Sequence, residues 1–165
     1  MSFAIQWVEK AEGPEQVVRI KTPISTLAFS LRGEVIVGID WEPDEKNAQL
    51  DEHPLQKELD RFWADAEAVV PVKLLRQGSA YRNKVWTELC RIPFGSTISY
   101  SALAQKIDSA ARAVGNACRD NPYPLIVPCH RVVARDGLGG YSGQTMGDSM
   151  AIKIKLLQFE ASGKV

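Results

Sequence analysis

The sequence predicts an α+β protein, with a small mixed unit over residues 1–79 and a mostly helical unit over 80–165. Three observations carry this. Two apolar runs flank Arg32-Gly33 over 27–41, the pattern of a hairpin. Beyond Pro54 the apolar spacing lengthens to that of a helix. Two short helices, 100–107 and 110–119, then follow each other across a tight turn, a helix-turn-helix candidate.

Taken in order, 17–20 and 27–31 are strand candidates, and 35–39 returns from the turn to Trp41. Leu55, Leu59, Phe62, Trp63 and Ala66 form one face of a helix over 54–68, with His53 as a capping or solvated residue ahead of it. Residues 69–78 read as a linker. Ser79 caps a helix reaching about Arg91, with Tyr81, Val85, Trp86 and Leu89 on one side. Ile92-Pro93-Phe94-Gly95 stops it. Thr97-Ile98 is extended, Ser99 caps the helix 100–107, and Asp108-Ser109 supplies a turn and a second cap. The next helix is nearly bare: Ala110, Ala111, Ala113, Gly115 and Ala117 are interrupted by Arg112 and Asn116. Such a surface suits a tight core, or close approach to a narrow groove with Arg112 as a probe. Asp120 to Pro124 breaks this helix, and a glycine-rich loop occupies 136–143. Its glycines lack the strand-loop-helix frame of a dinucleotide site. A last helix runs from Asp148 or Ser149 toward Gly163, its apolar residues being Ile152, Ile154, Leu156, Leu157 and Phe159.

Composition narrows the function. With 45% hydrophobic and 24% charged residues the chain is globular, not disordered. No apolar run approaches the ~20 residues of a membrane span, so no membrane role is expected. The N-terminus, 1–7, lacks the basic and apolar regions of a signal peptide. Three cysteines, Cys90, Cys118 and Cys129, are too few and odd in number for a disulfide framework. A reducing, cytoplasmic setting follows, with free thiols. No cysteine lies before residue 90, so the first unit cannot build a Cys/His zinc site. Net charge is zero but unevenly spread. Residues 1–79 carry 9 basic against 14 acidic side chains, a net of −5, and 80–165 carry 11 against 6, a net of +5. The second unit is therefore the one suited to a polyanion.

Within that unit, 125–133 is apolar except where it holds Cys129-His130-Arg131. On a strand, neighbouring side chains face opposite ways, and Pro128 disfavours a regular strand. A turn at Pro128 would let thiol and imidazole serve one site, which marks Cys129 as a candidate nucleophile. A hydrolase acting on esters or peptides would want base and nucleophile from separate segments and an oxyanion hole. A regulator without chemistry would leave the cysteine–histidine pair without a purpose.

Residues 80–161 resemble the catalytic domain of the O6-alkylguanine-DNA alkyltransferases, the methylated-DNA–protein-cysteine methyltransferase family. The pieces that match, in family order, are Ser99-Tyr100 with Leu103-Ala104, the run Arg112 to Ala117, Asn121-Pro122, Pro128-Cys129-His130-Arg131, Tyr141-Ser142-Gly143, and Leu156-Leu157 with Glu160. The resemblance implies a winged-helix-like catalytic domain behind a ribonuclease-H-like supporting domain. It implies irreversible transfer of an alkyl group from guanine O6 to Cys129, once per molecule, with O4-alkylthymine as a candidate second substrate. His130 would act as base through a water, Glu160 would orient it, and Asn121 would join the recognition helix to the active-site segment. Tyr100 and Ser142 would donate hydrogen bonds to the guanine, and Tyr141 would line the alkyl pocket. Since the target atom is hidden in a duplex, the nucleotide must be flipped out. Arg112 would fill its place and Tyr100 would crowd its phosphate, with Ala113 and Gly115 against the minor groove. The partner implied is double-stranded DNA carrying O6-alkylguanine, with no required protein partner, no metal and no cofactor. The zinc-bearing regulatory module of some relatives is not expected, and Cys129 argues against the non-repairing sensors of the family, which lack that residue.

Overall fold

The computed structural model describes residues 1–42, 52–141 and 148–163. The chain divides into two compact units, Met1–Arg76 and Gln77–Val165. The architecture is mixed α+β, with a five-stranded sheet in the first unit and four of the five described helices in the second.

The first unit contains β1 (Ser2–Val8), β2 (Glu15–Lys21), β3 (Thr26–Arg32), β4 (Val35–Glu42), α1 (Pro54–Ala64) and β5 (Val69–Leu75). The sheet order is β1-β5-β4-β3-β2. The expected hairpin is β3–β4, and its turn holds Gly33 at φ +58, a conformation that favours glycine. β3 runs antiparallel to both neighbours, whereas β4 and β1 run parallel to β5. Parallel neighbours require a crossover, and α1 lies on it. His53 caps α1 by accepting from the Leu55 amide at 3.1 Å. Leu59, Phe62 and Trp63 are buried. The helix ends before Ala66, because Asp65 is extended and its carboxylate accepts from the Glu67 amide at 2.9 Å, an Asx turn.

Two strands depart from the sequence expectation. Residues 69–75 are no linker but β5, buried through Val70, Val72 and Leu74 between β1 and β4. Proline is normally excluded from a central strand, which conceals it. Pro71 is accommodated because β4 joins the ladder only at Lys73 and Leu74. β1 lies outside the expected strands, although Phe3, Ile5 and Trp7 alternate with more exposed residues.

The second unit holds α2 (Ala80–Leu89), β6 (Ile98–Ser99), α3 (Tyr100–Lys106), α4 (Ala111–Arg119), a single 3-10 turn (Cys129–Arg131), β7 (Val132–Val133) and α5 (Asp148–Ser162). Ser79 and Ser99 cap α2 and α3 by accepting from the amides of Arg82 and Ala102, at 3.1 and 3.0 Å. The expected cap at Ser109 is absent. Its hydroxyl pairs with the Tyr81 hydroxyl at 2.7 Å, and α4 starts from Ala110 without a side-chain cap. The Trp86 indole donates to the Ala117 carbonyl at 2.8 Å and ties α2 to α4. The bare helix α4 turns out two-sided. Val114, Ala117 and Cys118 are buried, while Arg112, Asn116 and Arg119 are exposed. On α5 the buried stripe is Met150, Lys153, Leu156, Phe159 and Glu160. Ile154, expected in the apolar face, is instead exposed.

Candidate active site

The cysteine segment is shaped by its own backbone. Pro128 sits at φ −82 and ψ 65, and the Cys129 amide donates to the Val127 carbonyl at 2.8 Å. This is an inverse γ-turn, the turn that Pro128 predicts. A 3-10 turn follows, closed by the Arg131 amide on the Pro128 carbonyl at 3.0 Å. Leu125 lies at φ 76, unusual for a branched residue and held at a cost of ~1–3 kcal/mol. Its neighbours fix it there. The Asn121 amide donates to the Val127 carbonyl at 2.8 Å, the Asn121 oxygen accepts from the Tyr123 amide at 2.9 Å, and Val127 bonds back to Tyr123. Asn121 thus links the end of α4 to the segment that carries Cys129.

Behind the cysteine is a buried ionic cluster. His130 is fully buried, and its Nε2 lies 2.6 Å from a Glu160 carboxylate oxygen. Arg131 holds the same carboxylate with both ends of its guanidinium, at 2.7 and 3.1 Å, and donates to the Ile92 carbonyl at 2.8 Å. Burial alone would raise the Glu160 carboxyl, but hydrogen bonds from His130 and Arg131 outweigh it and hold the group at about 2. An ionised carboxylate only accepts, so Nε2 carries the imidazole proton and Nδ1 keeps a lone pair. That Nδ1 is buried and has no hydrogen-bond partner among the described residues, the Cys129 sulfur included. Burial pushes His130 below its ordinary range, toward the neutral form, against the pull of Glu160. The imidazole is therefore oriented, neutral and basic at its free nitrogen.

Cys129 is 6% exposed and lines a cavity of about 240 Å³ with Tyr100, Gly115, Cys118, Gly140 and Tyr141. The exposed Asn116 and Arg119 of α4 line it as well. Burial raises the Cys129 thiol, while the Asn121 amide and then the Lys153 charge lower it. Tyr100 opens α3, and its hydroxyl donates to the Gly140 carbonyl at 3.5 Å. Burial pushes this phenol up to about 12, so it stays a donor. Gly139, at φ +71, has no room for a side chain: an added Cβ would stand 2.8 Å from the Tyr100 ring. Of the residues expected at the site, Cys129, Tyr100, Tyr141 and Gly115 line one cavity, and His130, Glu160 and Asn121 support it from behind. Arg112 is exposed and Ala113 half-buried on α4; neither borders the cavity. Ser142 lies outside the described residues. Sequence reasoning missed the clamp by Arg131 and the buried Lys153, which fills the i, i+3 position between Met150 and Leu156. Among the described residues no group of three or more His, Cys, Asp or Glu could hold a metal ion.

The arrangement sets a buried cysteine on the wall of a small cavity, backed by an oriented imidazole and bordered by the helix pair α3–α4. The model of the 6-O-methylguanine DNA methyltransferase DNA-binding domain matches residues 80–162. A methylated-DNA–protein-cysteine methyltransferase of Archaeoglobus fulgidus is 34% identical over 105 residues, 63% of this chain and 71% of that one. One of Metallosphaera sedula is 31% identical over 147 residues, covering 86% and 90%. Among solved structures, Mycobacterium tuberculosis OGT in complex with DNA superposes with a TM-score of 0.71 at 32% identity, over 90% of this chain and 94% of that one. The chain belongs to the methylated-DNA–protein-cysteine methyltransferase family.

Proposed function

We propose that this chain repairs duplex DNA by taking the alkyl group of O6-alkylguanine onto the sulfur of Cys129, once per molecule. The observation that carries the reading is the buried Cys129 on a cavity wall, backed by a neutral His130 whose Nε2–H is committed to Glu160. The thiol proton passes through one bridging water to His130 Nδ1, and Glu160 steadies the imidazolium that results. Sulfur then bonds to the alkyl carbon as the carbon–O6 bond breaks, and the electron pair leaves with guanine. Tyr100, a protonated phenol, donates a hydrogen bond to the guanine ring, and Ser142 donates to O6. A thioether offers no route back to thiol, so the chain is consumed.

A cavity of about 240 Å³ lies below the ~300–1,000 Å³ of drug-sized sites and suits a single base. A nucleophile this deep can act only on a nucleotide turned out of the stack. Arg112 takes the vacated place, and the small surface of Ala113 and Gly115 admits α4 to the minor groove. Tyr141 borders the alkyl group, and Asn121 couples α4 to the acceptor. O4-alkylthymine presents a similar alkyl–oxygen bond and is a candidate second substrate. The partner is double-stranded DNA alone, with no cofactor. We read the first unit as the ribonuclease-H-like supporting domain, on its mixed sheet and crossover helix. The second is read as winged-helix-like, on its helix pair and paired short strands. The three free thiols support a reducing, cytoplasmic setting. No described helix is long and apolar enough to cross a membrane.

The test is a duplex with one O6-methylguanine labelled in its methyl group. Label moves to protein at no more than one equivalent per chain. Repeated turnover would overthrow the reading.

A further inference from the structure

Lys153 is a charge that no step of the proposed transfer uses. It is fully buried on α5, and its ammonium donates to the carbonyls of Val132, Leu138 and Gly140 at 2.8, 2.6 and 2.8 Å. All three acceptors are neutral. No described carboxylate forms an ion pair with it, although an unpaired buried ammonium is costly. The titratable groups that face it are Cys129 and His130 on the 3-10 turn, Cys118 on α4, and Tyr100 on α3, whose ring centroid is 6.0 Å away. His130 is neutral and Tyr100 protonated. Cys118 is raised by burial and then by Cys129. Cys129 is raised by burial as well, and of the two thiols it is the one that the proposed transfer makes an anion.

We propose that Lys153 is a positioning residue for the transfer: the fixed countercharge of the Cys129 thiolate, and the clamp on the Leu138–Gly140 wall that Tyr100 also bonds. The proposal rests on Cys129 being the alkyl acceptor. Burial lowers the Lys153 ammonium to about 8, and Cys129 raises it, in keeping with a charge that waits for its partner. The coupling is reciprocal. Once the sulfur is a thioether, the negative charge is gone and Lys153 holds its proton less tightly.

The experiment compares the full chain with Lys153→Gln, Lys153→Met and Lys153→Arg. The rate of iodoacetamide addition at Cys129 is followed by peptide mass spectrometry across pH, beside methyl transfer from the labelled duplex. Gln keeps a donor for the carbonyls without the charge. Its profile shifts to higher pH, roughly tenfold slower near neutrality for one unit charge lost nearby, and meets the parent at high pH. Arg restores the parent profile's position. Met, which removes the buried charge and keeps the bulk, serves where Gln fails to fold. A uniform slowing at every pH, or no change, overturns the countercharge. Iodoacetamide reads the thiol without DNA, so a shifted profile in Lys153→Gln beside a parent chain that transfers no methyl refutes the repair reading while upholding the charge coupling of Lys153 to Cys129.

Discussion

The two units hide polar groups in opposite ways. In the first, the buried polar residues are Thr22, Ser25 and Thr26. Thr22 and Ser25 are satisfied close by, Thr22 Oγ1 by the Ser25 carbonyl at 2.6 Å and Ser25 Oγ by the Glu42 carbonyl at 2.5 Å. Its ion pairs are half-buried or exposed, as in Arg19–Glu42 and Lys73–Glu34. In the second unit the described buried polar residues are His130, Lys153 and Glu160, all ionisable, with His130 next to Cys129 in the chain and Glu160 bonded to His130. Neutral hydroxyls complete a fold cheaply. Buried charges cost several kcal/mol each, and in this chain they gather around the turn that carries Cys129, the thiol that the proposed transfer ionises.

The contrast can be broken by substitution. The largest effect is expected from Cys129→Ala, which abolishes methyl transfer while binding to lesion-bearing duplex persists, as read by single-turnover assay and gel shift. Glu160→Gln follows. It frees His130 to turn and leaves Arg131 without its carboxylate, so transfer slows ~10²-fold or more and stability drops by about 3–5 kcal/mol in a denaturant melt. Arg112→Ala ranks third. It slows duplex repair far more than reaction with free alkylguanine base, and its exposed position limits the stability change to ~0.5 kcal/mol. Arg19→Ala in the first unit is the smallest, within about 1 kcal/mol and without effect on transfer.

Acid acts on the buried charges of the second unit. The Glu160 carboxyl falls from an ordinary 4.5 to about 2 on folding. As pH drops, the unfolded chain binds that proton first, so the stability Glu160 supplies is present above pH 4.5 and is lost between 4.5 and about 2. This amounts to roughly 3 kcal/mol for a group so deeply buried. His130, held neutral, adds a loss that begins as pH falls through its ordinary 6.5. Thermal melts over this range should show the full slope in the parent chain and a flatter one in Glu160→Gln.

What the sequence made legible was what local chemistry decides. Ser79 and Ser99 announced their helices, Gly33 its hairpin, and Pro128 the turn before Cys129. Strand β5 was hidden because Pro71 breaks the usual rule, and only the register of β4 shows why it is tolerated. Lys153 was hidden for a different reason. On a helix a lysine reads as a solvated head, and its acceptors come from Val132, Leu138 and Gly140, which no spacing along α5 foretells. Arg131 was seen as part of a motif, yet its grip on Glu160 depends on α5 packing against the cysteine turn.

Two thiols, Cys118 and Cys129, border the same cavity, and the proposed transfer uses Cys129 alone. The direct measurement is peptide mass spectrometry of the chain after one round with a duplex bearing O6-methylguanine. Methyl is expected on the Cys129 peptide alone, in amount equal to the lesion removed. Methyl on Cys118, or lesion loss with both cysteines unmodified, would contradict it.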